Sequence, residues 1–239
     1  MLKKVLSLFF PQTCLVCRQI ISHEKYFCPD CLEKIQFIRE PFCTLCGIPF
    51  PSSVPFSHPC ADCLSDPPPF SEHRSLWIYE KPVNQLVYGL KYGERFDLLE
   101  PLAQSIFQGM RNWFSDADIL VPVPLSTSRL KKRTYNQSLE LARKLSKISG
   151  IPVAVHSLQK IRETIPQTEL NRVERIKNLK NAFVWNDPKN NLKDKSVLLI
   201  DDVYTTGSTL KSCAKTLKQQ ETGRIRGITV AMNIPEANI

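Results

Sequence analysis

The stretch from Val197 to Thr209, which reads VLLIDDVYTTGST, limits the folds open to this chain more than any other segment. Its first four residues are apolar, which is typical of a strand buried on both faces of a parallel sheet. Two acids and a polar loop follow, and then come apolar residues at helical spacing: Leu210, Cys213, Ala214 and Leu217. A strand, a loop and a helix in this order place the loop at the carboxyl edge of a sheet, where open α/β folds bind ligands.

The loop in this stretch has the chemistry of a phosphate site. Its backbone N–H groups lie at a helix N-terminus, where they lack helical partners and face the positive end of the dipole. One glycine, which lets the backbone approach an anion closely, stands among four hydroxyl donors: Thr205, Thr206, Gly207, Ser208 and Thr209. Asp201 and Asp202 would repel a phosphate and instead need hydroxyl groups or a metal ion. A sugar phosphate satisfies both halves of the segment.

The segment closely resembles the thirteen-residue phosphoribosyl pyrophosphate motif of type I phosphoribosyltransferases. The resemblance implies that Asp201 and Asp202 hold the ribose hydroxyls, that residues 205–209 hold the 5′-phosphate, and that Mg²⁺ accompanies phosphoribosyl pyrophosphate. The rival phosphate motifs GxxxxGK[ST] and GxGxxG are missing from the sequence. A phospho-acceptor or Mg²⁺ site would leave the TTGST loop unexplained. The simplest alternative is an ordinary strand, loop and helix with a polar turn.

Eight of the nine cysteines form four CxxC pairs, which have the spacing of metal ligands rather than of a disulfide framework. Two pairs complete a tetrahedral zinc site. Sequential pairing, which we favour over an interleaved cross-brace, gives one site from Cys14, Cys17, Cys28 and Cys31, and another from Cys43, Cys46, Cys60 and Cys63. Because so small a module cannot build a core alone, we expect two structural zinc ions. Contact of these ribbons with nucleic acid or a partner is left open.

Strand and helix patterns alternate along the rest of the chain, which predicts an α/β fold with a parallel sheet flanked by helices. The predicted strands are Arg74–Tyr79, Asp118–Val123, Ile151–Val155, Val197–Ile200 and Ile225–Met232. Predicted helices begin at Val83, at Leu99 and at Asn136. Three consecutive prolines at 67–69 make a stiff connector. We therefore predict a zinc ribbon domain over residues 1–66 and a phosphoribosyltransferase domain over residues 67–239.

Two polar segments, Arg129–Ser138 and Arg162–Phe183, interrupt the α/β pattern. Between Arg129 and Lys180, thirteen Lys and Arg residues oppose four Glu residues. Such a surplus can serve pyrophosphate, nucleic acid or solubility. The catalytic residues are not assigned by the sequence, and the candidates for stabilising a leaving pyrophosphate are Arg133, Arg162, Arg172 and Arg175, with Arg129, Lys131 and Lys132 close by.

The order of these features resembles that of ComF-type proteins: four CxxC pairs, a VPVPL strand end, a basic NQ segment, an RxTxxQ stretch and the phosphoribosyl motif. The resemblance covers nearly the whole chain. It implies binding of phosphoribosyl pyrophosphate and a part in natural transformation, with single-stranded DNA and DNA-uptake proteins as partners. Two other functions remain open, namely an active phosphoribosyltransferase of nucleotide salvage with an unknown acceptor, and a sensor that binds the ligand without turnover.

The apolar start of the chain, residues 1–10, is short and is followed by no small-residue cleavage site before Cys14. We expect an amphipathic helix there rather than an export signal. The sequence also contains no apolar run long enough to span a membrane. Cysteines in metal-ligand spacing and an intracellular phosphoribosyl ligand together predict a cytoplasmic protein.

Overall fold

A computed structural model describes residues 12–21, 26–162 and 182–234 of the chain. Within these ranges the elements follow in this order: α1 (Pro29–Glu33), α2 (Ala61–Ser65), β1 (Glu72–Ile78), α3 (Val83–Tyr92), a 3₁₀ turn (Phe96–Leu98), α4 (Leu99–Gly109), α5 (Arg111–Phe114), β2 (Ile119–Pro122), α6 (Thr127–Arg133), α7 (Gln137–Ser149), β3 (Leu158–Lys160), β4 (Phe183–Trp185), β5 (Val197–Tyr204), α8 (Ser208–Lys218) and β6 (Ile225–Met232). The predicted alternation of strands and helices is confirmed.

The main sheet has the strand order β1-β6-β5-β2, and all its pairs are parallel. The two central strands are the most apolar, since every residue of β6 and the first four residues of β5 are buried. Such continuous apolar strands form because helices or other layers cover both faces of a parallel sheet. The carboxyl ends of the four strands therefore meet at one edge of the sheet.

Alternation along β5 divides the core between the two faces of the sheet. Leu198 and Ile200 join the cluster built with residues of α3, α4 and α7, such as Leu86, Leu102 and Leu145. Val197 and Leu199 join a second cluster, whose other members include Leu210 and Leu217 of α8 and three of the cysteines, Cys43, Cys46 and Cys63. The second half of the cysteine module is thus one of the layers that cover the sheet.

The chain between the two cysteine groups also extends the sheet. Phe37 forms an antiparallel bridge with Trp77 at the outer edge of β1. The backbone N–H of Ile38 donates to the carbonyl of Leu76 over 3.0 Å, and the N–H of Ile78 donates to Gln36 over 2.9 Å. These bonds give the backbone groups at the outer edge of β1 partners that an open edge would lack.

Two local predictions differ from the structure, and one strand pair has no counterpart among the predictions. Residues 151–155 form a single parallel bridge, Leu120 with Val153, rather than a strand, because Pro152 has no N–H to donate to a ladder. The helix predicted to begin at Leu99, whose apolar spacing continues through Met110 to Trp113, ends at Gly109 and is followed by α5, since Met110 leaves the helical conformation. The antiparallel pair β3–β4, which joins the segments on either side of residues 163–181, was not predicted.

No helix within the described ranges is long and apolar enough to cross a membrane. The helix expected over residues 1–10 lies outside the described residues.

Candidate functional site

The two acids lie within β5 rather than after it, because that strand runs four residues further than its apolar stretch predicts. The partner strand β6 continues beyond β2, so Asp201 still pairs with Thr229, and Val203 with Ala231. Successive residues of a strand point to opposite faces. Asp202 lies on the face of Leu198 and Ile200, under α3 and α7, where Lys91 and Gln137 contact it, and Asp201 contacts Ser138 at the start of α7.

Asp202 is buried and carries an ion pair. Only 5% of its surface is exposed. Lys91, in the last turn of α3, places its Nζ 2.8 Å from Asp202 Oδ1. Gln137, at the start of α7, donates a short hydrogen bond from Nε2 to Asp202 Oδ2. Among the described residues, the other amide atom of this side chain, Gln137 Oε1, is buried without a partner.

Asp201 has a different environment. It accepts hydrogen bonds from Ser138 Oγ and from the backbone N–H of Asp202, each over 2.9 Å. No ion pair of the described residues involves it. Burial, followed by the charge of Asp202, raises the pKa of Asp201 to about 7, although Lys91 and Ser138 act in the opposite direction. Asp201 is therefore a half-buried acid that a hydroxyl donor or a cation would satisfy.

Lys91 responds to both acids. Burial acts to lower its pKa, but the nearby charges of Asp202 and Asp201 outweigh burial, and the pKa of Lys91 is raised overall. The ammonium group therefore remains charged and balances one of the two carboxylates. We expect Asp202 to stay bound to Lys91 and Asp201 to be available to a ligand.

The loop after β5 turns at Gly207, whose backbone is left-handed with φ of 70°. A side chain at this position would overlap the hydroxyl of Tyr204, which lies directly beneath it. Gly207 is also the N-cap of α8 and supplies no side-chain cap. The first N–H groups of α8 therefore face the small depression lined by the loop. At its rim, Thr206 Oγ1 and Ser208 Oγ share a hydrogen bond of 2.8 Å.

A buried histidine connects this loop to the second cysteine group. The ring of His73 stacks on that of Tyr204, with the centroids 4.1 Å apart. Burial lowers the pKa of His73 to about 3, so its ring is neutral. Its Nδ1 donates to the carbonyl of Cys46 over 2.7 Å, which leaves Nε2 to accept from Thr229 Oγ1 over 3.0 Å. Cys46, His73, Tyr204 and Gly207 thus form one continuous chain of contacts.

The structure brings the eight paired cysteines together in the sequential grouping. The four sulfur atoms of each group lie within 4.8 Å of one another. Cys17 and Cys28 approach to 3.6 Å between sulfurs, and Cys46 and Cys60 to 3.9 Å. A tetrahedron with zinc–sulfur bonds of about 2.3 Å has edges of about 3.8 Å, so both groups fit a structural zinc ion.

In the second group, the hydrogen bonds around the sulfur of Cys43 favour its thiolate form. A hydrogen bond from the Cys46 side chain, together with the backbone N–H groups of Cys46 and Cys60, lowers the pKa of Cys43 to about 4. The two backbone donors lie 3.4 and 3.2 Å from the Cys43 sulfur. The thiolate is the form of cysteine that binds metals.

The arginine candidates are only partly described. Arg133 ends α6, where its guanidinium lies 4.8 Å from the ring centroid of Tyr92 and donates to the Tyr92 hydroxyl over 3.0 Å. It lies close enough to Lys91 to act on the pKa of that residue. Arg162 is exposed and follows β3. Arg172 and Arg175 lie outside the described residues.

Sequence reasoning missed several residues that organise the site. Gln137 and Ser138 belong to the basic NQ segment, whose sequence pattern relates it to pyrophosphate and to ComF-type proteins but not to the two acids. Tyr204 lies inside the recognised stretch, where it reads as one more apolar position. Lys91 stands in an ordinary amphipathic helix far from the acids in sequence, so nothing local in the chain indicates its role.

Substitution of Gly207 by alanine tests the contact with Tyr204. We expect Gly207→Ala to lower the free energy of unfolding by about 2–4 kcal/mol, since it adds a steric overlap to a left-handed backbone. Gly150→Ala is the matched control, because Gly150 has φ of 79° but nothing within 4 Å of the added carbon. Its expected loss is about 1 kcal/mol in urea denaturation. Equal losses for the two variants would contradict the packing described for Tyr204.

Neutralising the two acids should have opposite effects on stability. The folded state holds the pKa of Asp201 at about 7 against an ordinary value of 3.8. The unfolded state therefore loses its proton first, and stability falls as pH rises through that window. We expect Asp201→Asn to stabilise the protein by about 1–3 kcal/mol at pH 8 and by less at pH 5.

Asp202→Asn should instead destabilise the protein by about 2–4 kcal/mol at pH 8, because it leaves the Lys91 ammonium buried without its partner. Urea denaturation of both variants at the two pH values measures these differences. A loss of stability on Asp201→Asn that is as large as the loss on Asp202→Asn would contradict the division of roles between the two acids.

Comparison with known proteins agrees with this architecture. The family profile described as "Double zinc ribbon domain" matches residues 5–64, and the one described as "Phosphoribosyl transferase domain" matches residues 101–236. The second match covers more than half of the chain. The predicted boundary between residues 66 and 67 falls between the two matches and stays a prediction.

The chain is also similar to bacterial proteins over most of its length. It is 30% identical to Competence protein F of Haemophilus influenzae, covering 88% of this chain and 93% of that protein. It is 32% identical to DNA utilization protein YhgH of Salmonella typhimurium, covering 87% and 91%. Competence protein ComFC of Bacillus subtilis is 26% identical, covering 84% and 81%. The chain therefore belongs to the phosphoribosyltransferase-domain family, carries an N-terminal double zinc ribbon domain, and is related to Competence protein F, ComFC and YhgH.

Proposed function

We propose that this chain binds phosphoribosyl pyrophosphate at the β5–α8 loop and serves DNA uptake in the cytoplasm, where it handles single-stranded DNA. The observation that carries the ligand assignment is the difference between the two acids at the end of β5. One acid is already neutralised by Lys91, and the other stands beside a helix N-terminus that has no side-chain cap. A ligand with hydroxyls at one end and a phosphate at the other fits both parts of this arrangement.

In the proposed complex the ribose hydroxyls donate to Asp201, which the described residues leave without a cationic partner. The 5′-phosphate accepts hydrogen bonds from the first N–H groups of α8 and from the hydroxyls of Thr205, Thr206, Ser208 and Thr209. Gln137 Oε1, buried and without a partner in the described part of the chain, offers an acceptor beside Asp202.

Positive groups near the acids suit the other end of the ligand. Lys91 keeps its charge, and Arg133 lies on the same wall through its contact with Tyr92. Arg133 can approach a pyrophosphate by rotation of its side chain, because its contacts in the described part of the chain are with the exposed ring and hydroxyl of Tyr92. Mg²⁺, if bound with the ligand, would neutralise the pyrophosphate and stabilise its departure. Asp201 is the described carboxylate best placed to hold such an ion.

The proposal of DNA as a partner is supported by the names of similar proteins rather than by the geometry of the site. Three similar proteins are named for competence or DNA utilization. We extend that role to this chain as part of the proposal. The basic surplus between Arg129 and Lys180 supports a polyanionic partner. Tyr135 is the aromatic residue of this basic stretch, but it does not support base stacking, because its hydroxyl donates to the carbonyl of Leu90 and its ring packs on Phe96.

Calorimetric titration of phosphoribosyl pyrophosphate into the zinc-loaded chain, with and without Mg²⁺, tests the ligand assignment. We expect saturable binding that disappears in the Asp201→Asn/Asp202→Asn variant. Asp118→Asn is the matched control, since Asp118 is an exposed acid that accepts from the N–H of Ser196 at the opposite end of the sheet. Absence of binding by folded wild type would overturn the proposal. Release of pyrophosphate with a nucleobase would identify the chain as an active transferase.

The chain of contacts from Cys46 to Gly207 predicts that the second zinc site supports ligand binding and the first does not. Cys60→Ser and Cys17→Ser each alter the most exposed ligand of one group. We expect each variant to lose about one equivalent of zinc. Cys60→Ser should weaken binding of phosphoribosyl pyrophosphate roughly tenfold, the equivalent of one hydrogen bond, and Cys17→Ser should change it less than about twofold. Equal weakening would show that zinc acts only through overall folding.

A further inference from the structure

A second concave site lies at the outer edge of β1. It has a volume of about 460 Å³, which is within the usual range for small-molecule pockets. It opens where residues 36–38 leave the edge of β1, and its far wall is the junction of α4 and α5. The lining residues are Phe37, Ile38, Arg39, Phe42, Arg74, Ser75, Leu76, Gln108, Gly109, Met110, Arg111, Asn112 and Trp113. None of them belongs to the β5–α8 loop.

The charge of this edge cavity has one sign. Three arginines line it, and none of the described lining residues is an acid. Arg39 and Arg111 are exposed at the rim, and no ion pair within the described residues involves either of them. Arg74 is fixed within the wall, where it pairs with Glu72 over 3.7 Å and donates to the carbonyls of Thr44 and His73 over 3.1 and 2.7 Å. The cationic groups left for a ligand are therefore Arg39 and Arg111. Guanidinium groups in such a setting favour an anion, and above all a phosphate.

Flat rings accompany these cations. The guanidinium of Arg74 lies 4.3 Å from the ring centroid of Phe42 and 5.7 Å from that of Trp113. Arg39 lies 6.0 Å from the centroid of Phe37, a ring that is 43% exposed. Aromatic and guanidinium planes together form the surface on which nucleobases stack.

The wall also carries groups that can read the edge of a base. Gln108 and Asn112 each present an amide with donors and an acceptor. Ser75 is not available for this purpose, because its hydroxyl is buried against Thr229. A ligand that joins a flat, polar-edged ring to a phosphate would use each part of the lining.

We propose that this edge cavity binds a nucleotide, with the base against Phe37 or Trp113 and the phosphate between Arg39 and Arg111. The same chemistry is offered by a free mononucleotide and by one unit of single-stranded DNA. Among the described lining residues there is no carboxylate, and the Ser75 hydroxyl is held by Thr229, so the proposed role is binding rather than chemistry. The proposal does not depend on the assignment of phosphoribosyl pyrophosphate to the β5–α8 loop, which lies two strands away across β6.

Quenching of tryptophan fluorescence tests the proposal on the full zinc-loaded chain, since a base stacked on Trp113 would quench it. The titrants are deoxyadenosine monophosphate and a short oligodeoxynucleotide without self-complementarity. We expect saturable quenching by at least one of them. Comparable affinities would identify the free nucleotide as the ligand. Much tighter, salt-dependent binding of the oligonucleotide would identify a single strand. No saturable binding of either titrant, followed by quenching and by calorimetry, would overturn the proposal.

Three variants locate the ligand. Arg39→Gln/Arg111→Gln should weaken binding at least about tenfold, because each guanidinium lost removes a charge-assisted contact. Lys147→Gln/Lys218→Gln is the matched control, since it removes the same charge from exposed positions outside the cavity. The third variant, Asp201→Asn/Asp202→Asn, should bind nucleotide as wild type does. Equal weakening in the two charge variants, or loss of binding in the third, would overturn assignment to this cavity.

Discussion

Two adjacent carboxylates at the end of a buried strand are the constraint on which this structure depends. Like charges so close together in a protein interior are costly unless they are separated or neutralised. Both accept hydrogen bonds from the start of α7, since Gln137 donates to Asp202 and Ser138 donates to Asp201. Lys91 and Gln137 then neutralise and hold the inner one, Asp202. The packing of α3 and α7 on the same face is therefore a condition for the site as well as for the core.

The outer acid gains its properties from the same arrangement. Because the protein provides a cation for Asp202 and only a hydroxyl and an N–H for Asp201, the pKa of Asp201 is raised to about 7. Such a group is held in an unfavourable environment that a ligand would relieve. The stability that is lost in the free protein is one source of the affinity expected in a complex. The neighbouring β5–α8 loop binds the phosphate in this proposal without either acid, since the uncapped N-terminus of α8 offers N–H donors.

The sequence predicts the parts of this fold that depend on local pattern. The apolar run at Val197, the glycine at 207 and the CxxC pairs each have a meaning that neighbours in the chain determine, and the structure places them in β5, in the turn before α8 and in two sequential groups. Contacts between distant segments leave no such signal. Lys91 reads as an ordinary last-turn lysine, and His73 reads as a strand residue until Cys46 and Tyr204 are seen beside it.

The strand β1 shows how one backbone can carry two unrelated chemistries. His73 and Ser75 point toward Thr229, on the side where Tyr204 supports the β5–α8 loop. Arg74, between them in sequence, points the other way, toward Phe42 and Trp113. The residues that shape the edge cavity therefore share a strand with those that support the loop, and Ser75 belongs to both sets, because it lines the cavity while its hydroxyl contacts Thr229. Arg39 and Arg111 both lie outside β1. Substituting either of them therefore alters the edge cavity and leaves the residues of β1 that support the loop unchanged. The alternation of β1 thus keeps the cysteine module in contact with the loop while leaving an arginine-lined surface at the edge of the sheet.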